Sequence, residues 1–226
     1  MIDIAANLAR VRERIALACR RSGRDPSGIT LVAVTKTVAS AEVAEIYRLG
    51  LRDFGENRVR EGLARKSALA AADARWHMIG HLQRNKAAEV LAGGFASVHS
   101  VESAKLLDIL DREARRLGTR PGVFLEVNVS GEASKYGVAP AEVGGLVRLA
   151  AAKPGLELLG LMTMAPLSAN PEAARPVFRG LAEIRRNIEA ETGIRLPHLS
   201  MGMSGDFETA VEEGATLLRV GSALFA

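Results

Sequence analysis

Eight short apolar runs, each followed by a segment with helical patterning, constrain this chain more than any other feature. The strand-like runs fall near 29–35, 52–55, 76–80, 95–99, 122–129, 156–163, 197–201 and 216–221, behind an opening helix at about 3–22. Helical patterns occupy 39–50, 57–72, 83–92, 102–117, 140–152, 171–192 and 205–214. The boundaries carry the expected chemistry. Ser40 and Ser103 stand at helix starts, Pro140 at a first turn, and Gly50, Gly118 and Gly193 just past helix ends. Repeated strand–helix alternation makes the strands parallel. Eight of them in 226 residues predict a closed (β/α)8 TIM-type barrel with an extra N-terminal helix, a single domain over residues 1–226 with no second β domain. An open doubly wound sheet is the alternative, but no Gly-x-Gly-x-x-Gly follows the first strand to support it.

Composition removes several classes of function. Apolar residues make up 48% and charged residues 25%, as in ordinary soluble proteins. The net charge of +4 is slight for a nucleic-acid binder, and 4% aromatic content leaves few stacking platforms. The arginines near the N-terminus are interrupted by Asp3, Glu13 and Asp25 and read as a solvated helix face. No apolar run reaches the length of a membrane span. Cys19 is the one cysteine, so no internal disulfide is possible. Without a signal-peptide pattern, this predicts a cytoplasmic protein.

A barrel places its chemistry at the C-terminal ends of its strands. Lys36, Asn57, His81, Met162, Ser200 and Arg219 all fall at or just after such ends. Lys36 closes the run Ile29–Thr35. Apolar neighbours there would limit its hydration, favour the neutral amine and make it a nucleophile for an aldehyde, giving a Schiff base. Alternatively it snorkels to solvent. Lys135 and Lys86 are weaker rivals, because their neighbours are polar or charged. The stretch Ser200–Phe207 is rich in small and hydroxyl residues and opens a helix. Together with Gly221 and Ser222 after the last strand, it forms a candidate phosphate cradle at the place where barrels often hold one. Ser204 and Asp206 are otherwise simple helix caps. Arg219, set in an apolar strand, needs an acceptor: a carboxylate or a ligand heteroatom. A pyridine nitrogen facing it is held unprotonated, which weakens the ring as an electron sink. Asn57 and His81 are placed to orient a ligand, and His77 reads as a packed or surface imidazole. No metal site is expected, since the His77/His81 pair lacks the glutamate and the continuous helix of a zinc motif. Met162 and Met201 sit where they would flank a planar ring.

Taken together, Leu31–Lys36, Phe54–Asn57, His77–Lys86, Ser97–Val101, Gly160–Met164, Leu199–Phe207 and Leu218–Phe225 resemble the pyridoxal-phosphate homeostasis proteins, the YggS/PROSC family. The resemblance covers nearly the whole chain. It implies a barrel like the N-terminal domain of alanine racemase, with pyridoxal 5'-phosphate carried on Lys36. It implies phosphate contacts from Ser200, Ser204 and the Gly221–Ser222 backbone, with Arg219 toward the pyridine ring and Asn57, His81 and Met201 in the pocket. Alanine racemases add a β-rich domain that completes their active site. Without it, water is poorly excluded and a two-base reaction loses a base. The resemblance therefore implies an intracellular carrier of pyridoxal phosphate that buffers the cofactor or delivers it to apo-forms of its enzymes. It would act as a monomer, with no nucleic-acid or membrane partner. A pyridoxal-phosphate-dependent racemase or another enzyme of the same barrel class is the alternative.

Overall fold

The computed structural model describes residues 2–132 and 135–226. Its centre is a closed barrel of eight parallel strands paired in chain order. These are β1 (Thr30–Val34), β2 (Asp53–Glu56), β3 (Arg75–Met78), β4 (Ser97–Val101), β5 (Gly122–Glu126), β6 (Glu157–Met162), β7 (His198–Ser200) and β8 (Leu217–Val220). Helices α2 (Ser40–Arg48), α3 (Val59–Leu69), α4 (Ala87–Ala92), α5 (Ala104–Leu117), α6 (Val143–Ala151), α7 (Arg175–Thr192) and α8 (Phe207–Glu212) return the chain between strands. The expected barrel is therefore observed, and every expected strand and helix has a counterpart.

Local chemistry explains the boundaries. Ser103 caps α5 by accepting from Leu106 N. Gly118 and Gly193 close α5 and α7 in the left-handed conformation, at φ 66° and 69°. Ser40 is the first residue of α2, not its cap: Ala39 takes that position, and Glu42 reaches back to the Ala39 N–H.

The opening helix α1 (Ile4–Arg21) buries Ile4, Leu8, Val11 and Ile15 along one stripe. It packs on α8 and on a terminal helix α9 (Ser222–Phe225). Asn7 Nδ2 donates to the carbonyls of Leu224 and Ala226, both at 3.1 Å. Arg14 and Arg21 bridge to Glu208 and Glu212 of α8. These contacts hold α8 and α9, whose N-terminal ends flank the C-terminal mouth of the barrel.

Apolar packing falls into two unequal sets. A large outer core lies between strands and helices and includes Phe54, Trp76, Leu107, Phe178 and Met201. The interior set is small: Val32, Phe124, Met162 and Leu217. The rest of the interior is polar. Asp53, His77, Ser97, His99, Glu126, Ser200 and Arg219 are all buried there. Because strand side chains alternate in direction, these residues and their partners two positions away share the inward face.

Candidate cofactor site

The β1–β8 register sets the geometry of the mouth. Val32 pairs with Arg219 and Ala33 with Val220, so Lys36, just past β1, and Gly221, just past β8, leave the barrel side by side. A Cβ built on Gly221 would lie 3.4 Å from Val34 Cβ, which shows how closely the two strand ends approach. Lys36 is exposed. The desolvation expected from its apolar run does not occur, because the strand ends at Val34 and Lys36 begins a turn. Its carbonyl is held by Arg65 Nη2 at 3.1 Å. That arginine also bridges Glu56, which is fully buried and bonded to Thr35. The backbone under Lys36 is thus anchored while its amine is left to solvent and ligand. Lys135, the rival, is half-buried, and Lys86 is tied to Glu89 at 2.8 Å.

At the neighbouring end of β8, Ser204 Oγ accepts from the N–H groups of Gly221 and Ala223 at 3.1 and 3.2 Å. Two backbone donors converging on one oxygen are the arrangement an anion oxygen requires. Asp206 caps this loop by accepting from Met203 N at 2.6 Å. Burial raises its carboxyl pKa, opposed by that hydrogen bond and by the charge of Arg219. Ser222 is exposed at the same edge.

Ser200 lies deeper than the cradle. Its hydroxyl is fully buried and bonds Arg219 Nη1 at 2.6 Å and His99 Nδ1 at 2.9 Å. It supports the guanidinium instead of lining the Ser204 loop. Arg219 also donates from Nη2 to the carbonyl of Thr163 at 2.9 Å. Among the described residues its Nε has no acceptor. Burial lowers the Arg219 pKa to about 10, against the attraction of Glu126 and Asp206, so it remains a cation at neutral pH. Glu126, at the end of β5, is pushed up to about 7 by burial, with Glu102 adding to the shift and Arg219 opposing it.

Asn57 and His81 are brought to the mouth by the loops after β2 and β3. Gly80 makes this possible: a Cβ there would lie 2.5 Å from the Asn57 carbonyl oxygen. Asn57 is half-buried. His81 is exposed, stacks on Tyr136 with ring centroids 4.2 Å apart, and has Nδ1 3.5 Å from Glu102. Both line a cavity of about 570 Å³, and His81 also borders a second of about 600 Å³. Met201 departs from expectation. Ser200 faces inward, so Met201 faces outward, fully buried in the outer core. Met162 does face the interior. The sequence reading missed Glu126, Glu102, Thr163 and His99. The alternating polar residues of Ser97-Val98-His99 were the available signal for the last.

The donor set fits pyridoxal phosphate on three counts: the Ser204 hydroxyl, braced by two N–H groups, for a phosphate oxygen, a guanidinium Nε without an acceptor among the described residues for a ring nitrogen, and an accessible amine between neighbouring strand ends. Residues 6–226 match the family described as alanine racemase, N-terminal domain. The chain belongs to that family. Within the alanine racemase N-terminal family, it is 44% identical to the pyridoxal phosphate homeostasis protein of Aquifex aeolicus, across 99% of this chain and 98% of that protein. It is 43% identical to the protein of the same name from Pseudomonas aeruginosa, across 100% and 96%. Among solved structures it resembles PipY of Synechococcus elongatus with PLP bound, at TM-score 0.87 and 34% identity, covering 99% of this chain and 100% of that one. An alanine racemase of Clostridium difficile shares the fold at TM-score 0.75 and 15% identity, and this chain covers 56% of its length.

Proposed function

We propose that this protein binds pyridoxal 5'-phosphate at the C-terminal mouth of its barrel and acts as a carrier in pyridoxal-phosphate homeostasis. The observation that carries this reading is the convergence of Lys36, the Ser204–Gly221–Ala223 cradle and Arg219 on adjoining strand ends. The likeness to relatives named for pyridoxal phosphate homeostasis, and to PipY with PLP bound, supports it. Bound there, the cofactor would supply an aldehyde as the electrophile for the Lys36 amine.

The protein's own groups do the rest. The Ser204 hydroxyl, on which the Gly221 and Ala223 N–H groups converge, would donate its proton to the phosphate. Arg219 Nε donates to the ring nitrogen, and a donor there leaves no lone pair for a proton. That favours holding the cofactor over stabilising carbanions on it. Asn57 and His81 line a neighbouring cavity whose walls include neither Lys36 nor Ser204 nor Arg219. Lys36 is exposed, so a cofactor held on it would remain open to water and to transfer. An exposed amine suits reversible loading and handover to apo-enzymes, by a monomer, better than a sealed catalytic cycle.

The test is borohydride reduction of the protein loaded with pyridoxal phosphate, followed by peptide mapping. The expected result is one reduced adduct, on Lys36, lost in Lys36→Ala. An adduct confined to Lys135 or Lys86 sinks the assignment. Steady turnover of an amino acid, with α-proton exchange abolished by Lys36→Ala, would establish an enzyme instead.

A further inference from the structure

A continuous line of hydrogen bonds crosses the barrel interior from its N-terminal face to Arg219. Arg75, whose side chain is 60% exposed at the start of β3, donates to both carboxylate oxygens of Asp53 at 2.7 and 2.6 Å. The same carboxylate meets His77 Nε2 at 2.9 Å. His77 Nδ1 lies 2.7 Å from Ser97 Oγ, and Ser97 Oγ lies 2.9 Å from His99 Nε2. His99 Nδ1 reaches across the lumen to Ser200 Oγ at 2.9 Å, and Ser200 accepts from Arg219 Nη1 at 2.6 Å. The line thus joins β2, β3 and β4 to β7 and β8 on the far wall.

The Asp53 end fixes the order of the protons. A guanidinium only donates, and a carboxylate only accepts. A hydroxyl oxygen has two lone pairs, so Arg219 alone does not orient Ser200; the Asp53 carboxylate does. It takes the His77 Nε2 proton and leaves Nδ1 of a neutral ring as an acceptor for Ser97. That turns His99 Nε2 into the donor to Ser97 and its Nδ1 into the acceptor of the Ser200 hydroxyl. No other arrangement satisfies all the groups with both rings neutral. His99 is fully buried, and burial above all holds its pKa well below the ordinary range. Burial raises the Asp53 carboxyl, but its bonds to Arg75 and His77 prevail and bring it to about 2. Among the described residues no carboxylate hydrogen-bonds Arg219 directly. Its cation is met instead by a string of aligned dipoles that ends on an anion, an arrangement in which each bond polarises the next.

We propose that Asp53, His77, Ser97 and His99 are positioning residues for Arg219: through Ser200 they fix the plane of its guanidinium, and so the direction of the Nε–H bond at the cofactor mouth. The last step, from Arg219 to a pyridine nitrogen, rests on the pyridoxal-phosphate reading; the proton order in the column does not.

The experiment therefore has one arm without cofactor. Imidazole ¹⁵N–¹H correlation spectra of the unliganded ¹⁵N-labelled protein at pH 7 are expected to show His77 and His99 both protonated at Nε2, with Nδ1 of His99 bare. A proton on Nδ1 of His99, or a charged His99, overturns the proposal with no variant needed. In Asp53→Asn the column loses its anion, and the His99 nitrogen signals are expected to shift although three hydrogen bonds intervene. A purely local role for Asp53 moves His77 alone and also overturns it. The second arm adds pyridoxal phosphate. His99→Leu is expected to weaken binding about fivefold or more and to move the absorption maximum of the bound cofactor. His99→Gln, which keeps one acceptor and one donor, restores both. A leucine variant with wild-type affinity and spectrum refutes the coupling to the site. Correct tautomers with no adduct at Lys36 in the wild type would instead reject the cofactor reading and leave the proton order standing.

Discussion

Replacing Glu126 with glutamine probes the electrostatics of the mouth directly. The Glu126 side chain is buried beside Arg219 and Glu102, and its proton leaves at about pH 7 in the folded protein, compared with 4.5 for an unperturbed glutamate. Below pH 4.5 both folded and unfolded forms hold the proton, so it contributes no difference. Between 4.5 and 7 the unfolded chain releases it first, and stability falls as pH rises. Above 7 the loss is complete. At roughly 1.4 kcal/mol per tenfold difference in proton affinity, the ionised group costs the folded state about 3 kcal/mol. Glutamine has no proton to lose. Urea unfolding of wild type and Glu126→Gln at steps from pH 4.5 to 8 is therefore expected to give a difference, variant minus wild type, that grows by about 3 kcal/mol over the range. Carboxylates not coupled to Glu126 cancel in that difference. A flat difference, or one that shrinks with pH, would show that the Arg219 cation outweighs burial at this position and would refute the reasoning.

Other consequences can be checked with simpler measurements. Ser204→Ala removes the oxygen on which the Gly221 and Ala223 N–H groups converge. Pyridoxal phosphate affinity by fluorescence titration is expected to fall about fivefold, with the melting temperature little changed. Arg65→Met leaves the Glu56 carboxylate buried without its cation and is expected to cost about 3–5 kcal/mol in urea unfolding, largely recovered by adding Glu56→Gln. Gly160→Ala places a methyl 1.8 Å from the His198 carbonyl oxygen at φ 154°. It is expected to cost more than about 3 kcal/mol or to abolish soluble expression, and near-wild-type stability would contradict the β6–β7 register.

The fold was legible because its signals are periodic. Strand runs such as Leu31–Val34 and the amphipathic stripe of α1 announce themselves, and Ser103, Gly118 and Gly193 mark helix ends by their chemistry. The four-residue helix α9 is too short to carry a period. The site was legible in part. Ser204, Gly221 and Arg219 stand out because each residue type is unusual where it falls. The hydration of Lys36 was misjudged because an apolar run does not reveal where its strand ends, and here the chain turns after Val34. Met201 was misjudged for a different reason. Its rim position was visible, but alternation from Ser200 sends its side chain outward. The interior column escaped because its members come from five strands. Only the closed register brings Ser97 and His99 of β4 against His77 of β3 and Ser200 of β7.

The split between a large greasy shell and a small, wet-chemistry lumen has a consequence for how this barrel tolerates change. Truncating a shell residue such as Leu107 should lower resistance to denaturants by about 2–5 kcal/mol while leaving ligand spectra untouched. Exchanging an imidazole or serine inside should disturb the ligand spectra as well. Robustness and chemistry are thus written on opposite faces of the same eight strands, and successive residues along each strand can drift under separate pressures.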